Sequence, residues 1–568
     1  MMTASPSAMS CQAARLCCQA GGDRLAVSQP GAMRDQRVQW LHEVMWSELK
    51  ISELKADKLY DLPAACASAS GRTHFAIAQS NLPGYAGGLE PVASGFDLRG
   101  RPLPATAVVA VGARDGLTSP WREIMMGDRA GDLIPSPLIG DLSTPPQGEF
   151  SWVKPGKVAW DWWSGPTAGE KPSLEGYERF FDFAAAFGFP YVLIDAGWAH
   201  GSTPCSDAGP KTDITRADPA IDMPALVKYA ADRHVGLVLW AHWRHVQPRM
   251  VEVLDTQQRW GIKGVTVDFT MRDDQEIVNF HHDMARETAK RHLLLDLHAA
   301  YPPGGLARTY ANFITQDGVL GAEYNKFSWL VTPGHNVRLA YTRMLLGPMD
   351  YTPGGFRNST PETFAVHEVM PMTQTTRGQA LAKYVVYDSP LQMMADNPDA
   401  YAGAPGFDFL KIVPTAWEET RFIGATPETY VALDRRKGDV WYVGAMANED
   451  GRTVDIPLSF LGQGQHSARL WADGADPDSV DTKLKAVTAS DHLPLAMKAA
   501  GGGVIVFTPM GRQGGLNQPA YAREGGSGRQ LRSGSSGGSP REPERINDPG
   551  ARRRDGPRPC RRARSRAP

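Results

Sequence analysis

Hydrophobic positions in the middle of the chain fall into short apolar runs, each closed by a carboxylate, an imidazole or an indole. The runs are Lys157-VAWDWW, Tyr191-VLIDAGW, Gly236-LVLWAHW, Gly264-VTVDF and His292-LLLDLH. A strand buried on both faces of a parallel sheet has this nearly continuous apolar character. The pattern therefore predicts core strands whose polar residues gather at one end of a parallel sheet.

Helical patterns separate these strands. Segments with apolar residues at helical spacing begin at Tyr177, Met223, Met250 and Asp274. Regular alternation of strand and helix predicts a right-handed (β/α)₈ TIM barrel over residues 151–425, with its functional residues at the carboxyl ends of the strands. Later strands are expected near Phe313, Met344 and Tyr384.

Shorter β-type runs flank the barrel and complete an α/β fold class. Residues 46–150 contain His74-FAIAQ and Ala107-VVAVGA between Gly and Pro residues, which predicts a partial N-terminal β-sandwich. Residues 426–510 alternate in polarity between turn signals, which predicts a C-terminal β-sandwich. Residues 1–45 and the Arg/Gly/Ser-rich residues 511–568 lack a sustained period, so a disordered head and tail are expected.

Composition excludes several classes of partner. The formal net charge of −2 gives the whole chain no electrostatic footprint for nucleic acid, and no apolar run is as long as a membrane span. The arginine-rich tail could act as a basic arm, but disordered or out-of-frame sequence is the favoured interpretation.

Six cysteines are too few for a disulfide framework. The N-terminus lacks the apolar core of a secretory signal, which predicts a cytoplasmic protein if this start is genuine.

Two carboxylates are candidates for catalysis. Asp268 closes a predicted buried strand, where it would serve either as a nucleophile or base, or as a cap for the following loop. Glu323 lies in Gln316-DGVLGAEYNK, two strands further on, where the alternative role is a surface pair with Lys326. Glycoside hydrolysis requires such a pair, one group attacking or activating water and the other protonating the leaving oxygen.

Further polar and aromatic residues are expected at the same rim. Rings can stack on the apolar faces of a sugar, and carboxylates and imidazoles can bind its hydroxyls. This combination predicts a sugar ligand. Among Trp160, Trp162 and Trp163, Trp160 is preferred as the stacking residue. The substrate-binding candidates are Trp160, Asp195, His242, His298 and Lys326.

Seven collinear motifs resemble glycoside hydrolase family 97. They are PGKVAWDWWSGP, YVLIDAGW, GVTVDF, LHAAYPPGGLARTYAN, DGVLGAEYNK, GPMDYTPGGF and VVYDSPLQMMAD. The resemblance covers roughly residues 70–510 and implies an α-glucosidase or α-galactosidase, often calcium-dependent. It also implies a periplasmic or secreted location and an oligosaccharide or simple α-glycoside as substrate.

The resemblance implies a mechanistic branch. Inverting members of the family carry a Glu directly after the His that ends strand five, whereas retaining members have an Asp nucleophile at the end of strand four. Here Ala299 follows His298, and Asp268 occupies the strand-four position. The chain thus resembles the retaining branch, chiefly α-galactosidases, with Asp268 as nucleophile and Glu323 as acid/base.

Departures from the family pattern weaken the implied calcium site. By resemblance, the metal ligands would be Asp317, Glu323 and Gln79, but Asp317 and Gln79 stand where the family has Glu. Thr266 replaces a family lysine two residues before Asp268. Calcium prefers six to eight oxygens with several carboxylates, so a weakened site or none is expected.

The sequence is compatible with three functions. The first is a retaining exo-acting α-glycoside hydrolase that releases terminal α-linked galactose. The second is an inverting α-glucosidase of the same family. The third is a truncated, inactive carbohydrate-binding remnant, since the N-terminal sandwich is shorter than the family's. The sequence does not determine the oligomeric state.

Overall fold

The computed structural model describes residues 24–28, 42–43, 45–50, 61–68, 70–84, 90–92, 95–97, 119–164, 173–202, 209–427 and 429–511. The predicted run at Ala107 and nearly all of the predicted disordered tail lie outside these residues. The prediction of a disordered head is wrong for Arg24–Ser28, which forms a strand paired with Trp46–Lys50 and Asp61–Ala67.

An antiparallel sheet precedes the barrel. Its strands and a small hairpin are β1 Arg24–Ser28, β2 Trp46–Lys50, β3 Asp61–Ala67, β4 His74–Ser80, β5 Glu90–Val92, β6 Gly95–Asp97 and β7 Trp121–Gly127. The five-stranded sheet has the order β2-β1-β3-β4-β7, and β5 pairs with β6. Strand β4 confirms the run predicted at His74.

Seven parallel strands form a nearly closed barrel. They are β8 Gly156–Trp160, β9 Tyr191–Ile194, β12 Gly236–His242, β13 Gly264–Asp268, β14 Leu294–Leu297, β15 Phe313–Gln316 and β16 Leu391–Met394. The order is β15-β14-β13-β12-β9-β8-β16. A hairpin of β10 Ala199–His200 and β11 Asp213–Ala217 extends from β9. The predicted α/β barrel class is confirmed.

An extended segment without regular strand structure, residues 349–353, lies between the two edge strands of the barrel. The backbone N–H of Asp350 donates to the carbonyl of Gln316 at 2.9 Å, and that of Ala395 donates to Pro353 at 3.1 Å. This segment, which we call the seam, thereby connects the end of β15 with the end of β16.

Helices separate many of the strands along the chain. The α-helices are α1 Leu138–Asp141, α2 Leu174–Phe187, α3 Met223–Asp232, α4 Trp243–Val246, α5 Met250–Trp260, α6 Gln275–Lys290, α7 Leu306–Thr309, α8 Pro333–Leu339, α9 Arg377–Val386, α10 Pro398–Tyr401 and α11 Phe407–Leu410. Short 3₁₀ helices span Ala130–Leu133, Gln247–Arg249, Ala322–Lys326 and Arg343–Leu346. The strands predicted near Met344 and Tyr384 are wrong, because Met344 lies in a 3₁₀ helix and Tyr384 in α9.

A C-terminal β-sandwich follows. Its strands are β17 Glu419–Thr426, β18 Tyr430–Lys437, β19 Val440–Ala447, β20 Arg452–Pro457, β21 His466–Asp473, β22 Val480–Val487, β23 His492–Met497 and β24 Gly502–Pro509. Strand β17 belongs to this six-stranded sheet, so the sandwich begins before the predicted boundary at residue 426. Helix α9 packs between the barrel and strands β19 and β24, and one apolar core runs from the barrel into this sheet. No helix in the described ranges is long and apolar enough to cross a membrane.

Candidate active site

The carboxyl ends of the barrel strands place the predicted polar residues on one rim. Asp161 and Asp195 directly follow β8 and β9, His242 and Asp268 close β12 and β13, and His298 follows β14. Because the strands are parallel, these ends lie at the same face of the barrel, where barrel enzymes build their sites.

Asp268 is half-buried and held by two donors. The Trp240 indole Nε1 donates to Asp268 Oδ2 at 3.2 Å, and the Phe269 backbone N–H donates to Asp268 Oδ1. Hydrogen bonds to a carboxylate favour its charged form. The two donors therefore favour the charged form of the carboxylate at the end of the fourth barrel strand, and a nucleophile needs that form.

Asp195 is a buried neighbour of Asp268. The Trp160 indole donates to Asp195 Oδ2 at 2.8 Å, and the Asp195 N–H donates to Asp161 Oδ1 at 2.9 Å. Burial raises the pKa of Asp195 to about 6; the Asp268 carboxylate adds to this shift, and His298 and local hydrogen bonds oppose it. Trp160 is 2% exposed, so in this structure it positions Asp195 instead of presenting a free stacking face.

Of the two stacked indoles Trp160 and Trp162, which lie at the end of strand β8, Trp162 is the more accessible. It is half-buried, stacks on Trp160 with ring centroids 5.2 Å apart, and contacts Phe327. Lys326 Nζ lies 4.1 Å from the Trp162 ring centroid. Trp162 thus offers the more accessible ring for stacking, whereas Trp160, which the sequence favours, is covered in this structure.

His298 forms ion pairs with two buried carboxylates, Asp296 and Asp350. Its Nε2 lies 3.1 Å from Asp296 Oδ2 and 3.0 Å from Asp350 Oδ2. Burial alone would lower the pKa of His298, but the two carboxylates outweigh this effect and raise it well above its ordinary value. His298 is thus an imidazolium in the floor of the site, and Asp350 comes from the seam.

Replacing His298 with Ala is expected to destabilise the protein strongly. The change leaves Asp296 and Asp350 buried without their cation, and loss of one partner from a buried ion pair costs about 3–5 kcal/mol. Urea unfolding of both proteins measures the difference. His492 and Asp455 provide the matched control, because this pair is 2.7 Å apart but about 60% exposed. His492→Ala should change stability by less than about 1 kcal/mol, and equal effects of both variants would contradict the role of burial.

Glu323 lies in the 3₁₀ helix Ala322–Lys326, on the rim beyond β15. It is half-buried, and its backbone N–H donates to Thr352 Oγ1 of the seam at 3.2 Å. Lys326 is not a surface partner: its Nζ donates to the carbonyls of Trp162 and Trp163 at 3.2 and 2.8 Å. Burial lowers the pKa of Lys326 to about 8. The negative charges of Glu323 and Asp195 oppose this shift, so both carboxylates act on the same ammonium.

The turn that carries Glu323 is built on Asp317 and Gly318. Asp317 accepts the backbone N–H groups of Ala299 and Val319 at 3.2 and 2.9 Å. Gly318 has φ +72°, and a Cβ there would stand 2.7 Å from the Ala300 carbonyl oxygen, so only glycine fits. Buried Arg343 supports this turn from below. Its guanidinium donates to the carbonyls of Gln316, Asp317, Gly347 and Pro348.

The implied calcium ligands are not arranged as a complete set. Gln79 Oε1 accepts a hydrogen bond from Arg122 Nη1 at 3.1 Å, and a guanidinium in that place would repel a cation. Burial raises the pKa of Asp317 well above its usual range, and nearby Glu43 raises it further. Glu43, which also accepts the Tyr324 hydroxyl, was not expected at this rim.

Within the described ranges, one group of three His, Cys, Asp or Glu side chains converges closely enough to hold a metal ion, and it is Asp296, His298 and Asp350. In this group His298 is an imidazolium paired with the two carboxylates. Its Nε2 carries a proton, so this nitrogen has no lone pair to offer to a metal. Among the described residues, Asp317 and Glu323 belong to no such group, and Gln79 is bonded to Arg122, so these three residues do not fit a calcium site.

His242 is a helix cap in this structure. Its Nδ1 accepts the backbone N–H of Arg244 at 3.2 Å, and its ring stacks on Phe269 with centroids 5.0 Å apart. Burial lowers the pKa of His242 to about 3, and His245 and Arg244 add to this effect, so the ring is neutral. It supports the backbone that follows Asp268.

Three rim residues other than glycine have left-handed backbone conformations. Phe269, Ala299 and Thr352 have φ of 63°, 47° and 55°, and they follow Asp268, His298 and Asp350 closely in the chain. Such conformations cost of order 1–3 kcal/mol each and concentrate at functional sites. The backbone is therefore strained next to Asp268 and close to both members of the His298–Asp350 pair.

Three family profiles match the chain in sequence. They are described as glycosyl-hydrolase 97 N-terminal over residues 27–145, glycoside hydrolase 97 over residues 152–319, and glycosyl-hydrolase 97 C-terminal, oligomerisation, over residues 416–508. The chain belongs to glycoside hydrolase family 97. The resemblance inferred from the seven motifs is confirmed, and the catalytic profile includes Asp268.

Two relatives in sequence are named as retaining alpha-galactosidases. A retaining alpha-galactosidase of Bacteroides thetaiotaomicron is 37% identical over 369 residues, 63% of this chain and 54% of the relative. A probable retaining alpha-galactosidase of Streptomyces bingchenggensis is 32% identical over 402 residues, 68% of this chain and 58% of the relative. The chain thus spans little more than half the length of these proteins.

The fold is also that of a solved family 97 enzyme. A family 97 enzyme in complex with acarbose from Pseudoalteromonas sp. strain K8 aligns with a TM-score of 0.77 at 28% identity, covering 85% of this chain and 78% of that one. A beta-arabinopyranosidase aligns with a TM-score of 0.71 at 23% identity, over 85% of this chain and 78% of that chain, and this match concerns the fold alone.

Proposed function

We propose that this chain is a retaining exo-acting α-glycoside hydrolase that releases terminal α-linked galactose. Asp268, at the end of the fourth barrel strand between two hydrogen-bond donors, is the observation that carries the proposal. Ala299 after His298 removes the carboxylate that an inverting member would use there. The preference for galactose rests on the two relatives named as retaining alpha-galactosidases.

The proposed reaction is a double displacement. Asp268 attacks the anomeric carbon from the face opposite the leaving group and forms a β-glycosyl ester, while Glu323 transfers its proton to the leaving oxygen. Glu323 then takes a proton from water, which attacks the same carbon and regenerates the Asp268 carboxylate. Two inversions give a product with the α configuration of the substrate.

Other residues position and polarise the substrate in this proposal. Asp195 offers a buried oxygen for a sugar hydroxyl, and Lys326 offers an ammonium on which the charges of both Glu323 and Asp195 act. The His298 imidazolium stabilises negative charge in the floor of the site. Its field favours ionised Asp195, and it opposes protonation of Asp317.

Anomeric analysis of the first product tests the proposal. Proton NMR during the first minutes of hydrolysis of a nitrophenyl α-galactoside should show α-galactose before mutarotation supplies the β anomer. Release of β-galactose, or of β-glucose from the matching α-glucoside, would establish an inverting enzyme instead. Lack of turnover on both substrates would favour an inactive carbohydrate-binding protein.

A further inference from the structure

Exposed apolar side chains concentrate in two short segments, one of which closely follows the candidate acid Glu323 in the chain. Among the residues the structure describes, nine large hydrophobic side chains are exposed. Five of them lie in two short segments and form what we call the apolar rim patch: Trp329, Leu330, Val366, Val369 and Met370. Contiguous exposed apolar surface on a protein marks a ligand or partner site more often than chance exposure does.

The two segments of the apolar rim patch are in contact and anchored. The Trp329 ring lies edge-on to Phe364, with ring centroids 4.9 Å apart, and Phe364 is itself buried. Gln374 Nε2 donates to the Trp329 carbonyl at 3.0 Å. Trp329 is nevertheless 54% exposed, so its backbone is fixed while much of its indole faces solvent. A fixed, open aromatic face is suited to stacking on a ring.

The apolar rim patch lies close to the chemistry. Trp329 follows Glu323 by six residues and comes three residues after the end of the 3₁₀ helix Ala322–Lys326. Glu368, in the second segment, lies close enough to the Lys326 ammonium to oppose the lowering of its pKa by burial, as Glu323 does. The first segment thus follows Lys326 closely in the chain, and the charge of Glu368 in the second segment acts on the same ammonium.

We propose that the apolar rim patch binds the leaving-group side of the substrate, with Trp329 stacking on the ring joined to galactose. This inference rests on the proposed function. The acid protonates the bridging oxygen, so whatever lies beyond that oxygen is on the Glu323 side of the site. The substrate class is then an α-galactoside whose leaving group is itself a ring, such as a second hexose or an aryl group.

Paired substrates test the subsite. The α-1,6-linked disaccharide of galactose and glucose carries a leaving ring, whereas α-galactosyl fluoride does not. Trp329→Ala should lower kcat/KM for the disaccharide roughly 10- to 100-fold, since a stacked and desolvated ring is lost, and lower kcat/KM for the fluoride less than about threefold. Trp329→Phe should retain part of the lost activity. Trp121, which is 56% exposed on strand β7, provides the matched control, and Trp121→Ala should change neither value.

Several results would overturn the subsite. One is an equal loss of kcat/KM on both substrates, and another is no loss on the disaccharide. A change in native mass on Trp329→Ala would also do so, because it would assign the patch to a subunit contact. If the wild-type protein hydrolyses neither substrate, the proposed function fails separately. Calorimetric titration of the disaccharide and of free galactose into Asp268→Asn then decides the subsite. Adding Trp329→Ala should weaken binding of the disaccharide alone, and an unchanged dissociation constant overturns the inference.

Discussion

Replacing Asp268 with Ala should abolish turnover of unactivated α-galactosides, with a fall in kcat of roughly 10³-fold or more. The half-buried carboxylate makes the covalent bond in the proposed mechanism, and neither Trp240 nor Phe269 supplies another nucleophile. Azide should enter the vacated space and attack an activated substrate, giving the β-galactosyl azide. Steady-state kinetics and NMR of the azide product measure both effects.

Controls separate chemistry from folding. Asp268→Asn keeps the shape of the side chain and should be as inactive as the alanine variant. Asp232→Ala removes an exposed carboxylate paired with Lys228 on helix α3 and should leave kcat unchanged. Substantial unassisted activity in either Asp268 variant, or an α-galactosyl azide from them, would mean that another group is the nucleophile.

Replacing Glu323 with Gln should make the rate depend on the leaving group. Without a proton donor, kcat/KM for the disaccharide is expected to fall about 10²- to 10⁴-fold, whereas a dinitrophenyl galactoside needs little protonation and should form the glycosyl-enzyme at a much less reduced rate. Azide should intercept that intermediate and give the α-galactosyl azide, the opposite anomer to that from the Asp268 variants. The two azide products therefore assign the two carboxylates independently.

Glu252→Gln is the matched control for the acid, because Glu252 is 56% exposed, is paired with Arg249 and lies on helix α5, outside the 3₁₀ helix that carries Glu323. It should hydrolyse both substrates at the rate of the unmodified protein. An equal loss for Glu323→Gln on activated and unactivated leaving groups would show that Glu323 positions the substrate and is not the proton donor.

The barrel strands could be predicted because their burial on both faces gives continuous apolar runs. The sequence predicts the barrel strands β8, β9, β12, β13 and β14 together with the polar residue at the end of each. The strand expected near Phe313 is β15. Tyr384 was misassigned to a strand because all ten residues of α9 are buried, so the helix lacks the polar face that reveals helical period. Arg377 and Lys383 are buried there too.

The hydrophobic pattern predicts candidate site residues where the side chain lies at a strand end, whereas Glu323 and Lys326 were identified from their motif. Asp268, Asp195 and His298 meet that condition. Asp350 was missed because it lies 52 residues from His298 in a segment that is not a strand, and nothing local marks their contact. Arg343 was missed for a related reason: its partners are backbone carbonyls, which carry no sequence signal. Gln79 was assigned from family position alone, and its partner Arg122 lies on a different strand.

The seam ties catalytic competence to completion of the barrel. Asp350 and Thr352 come from the segment that connects β15 with β16, and they hold His298 and the backbone of Glu323. A partly opened barrel would lose this segment's hydrogen bonds and, in the same event, one of the two carboxylates that keep His298 charged. Local opening of the sheet edge and loss of the catalytic geometry should therefore be a single cooperative transition.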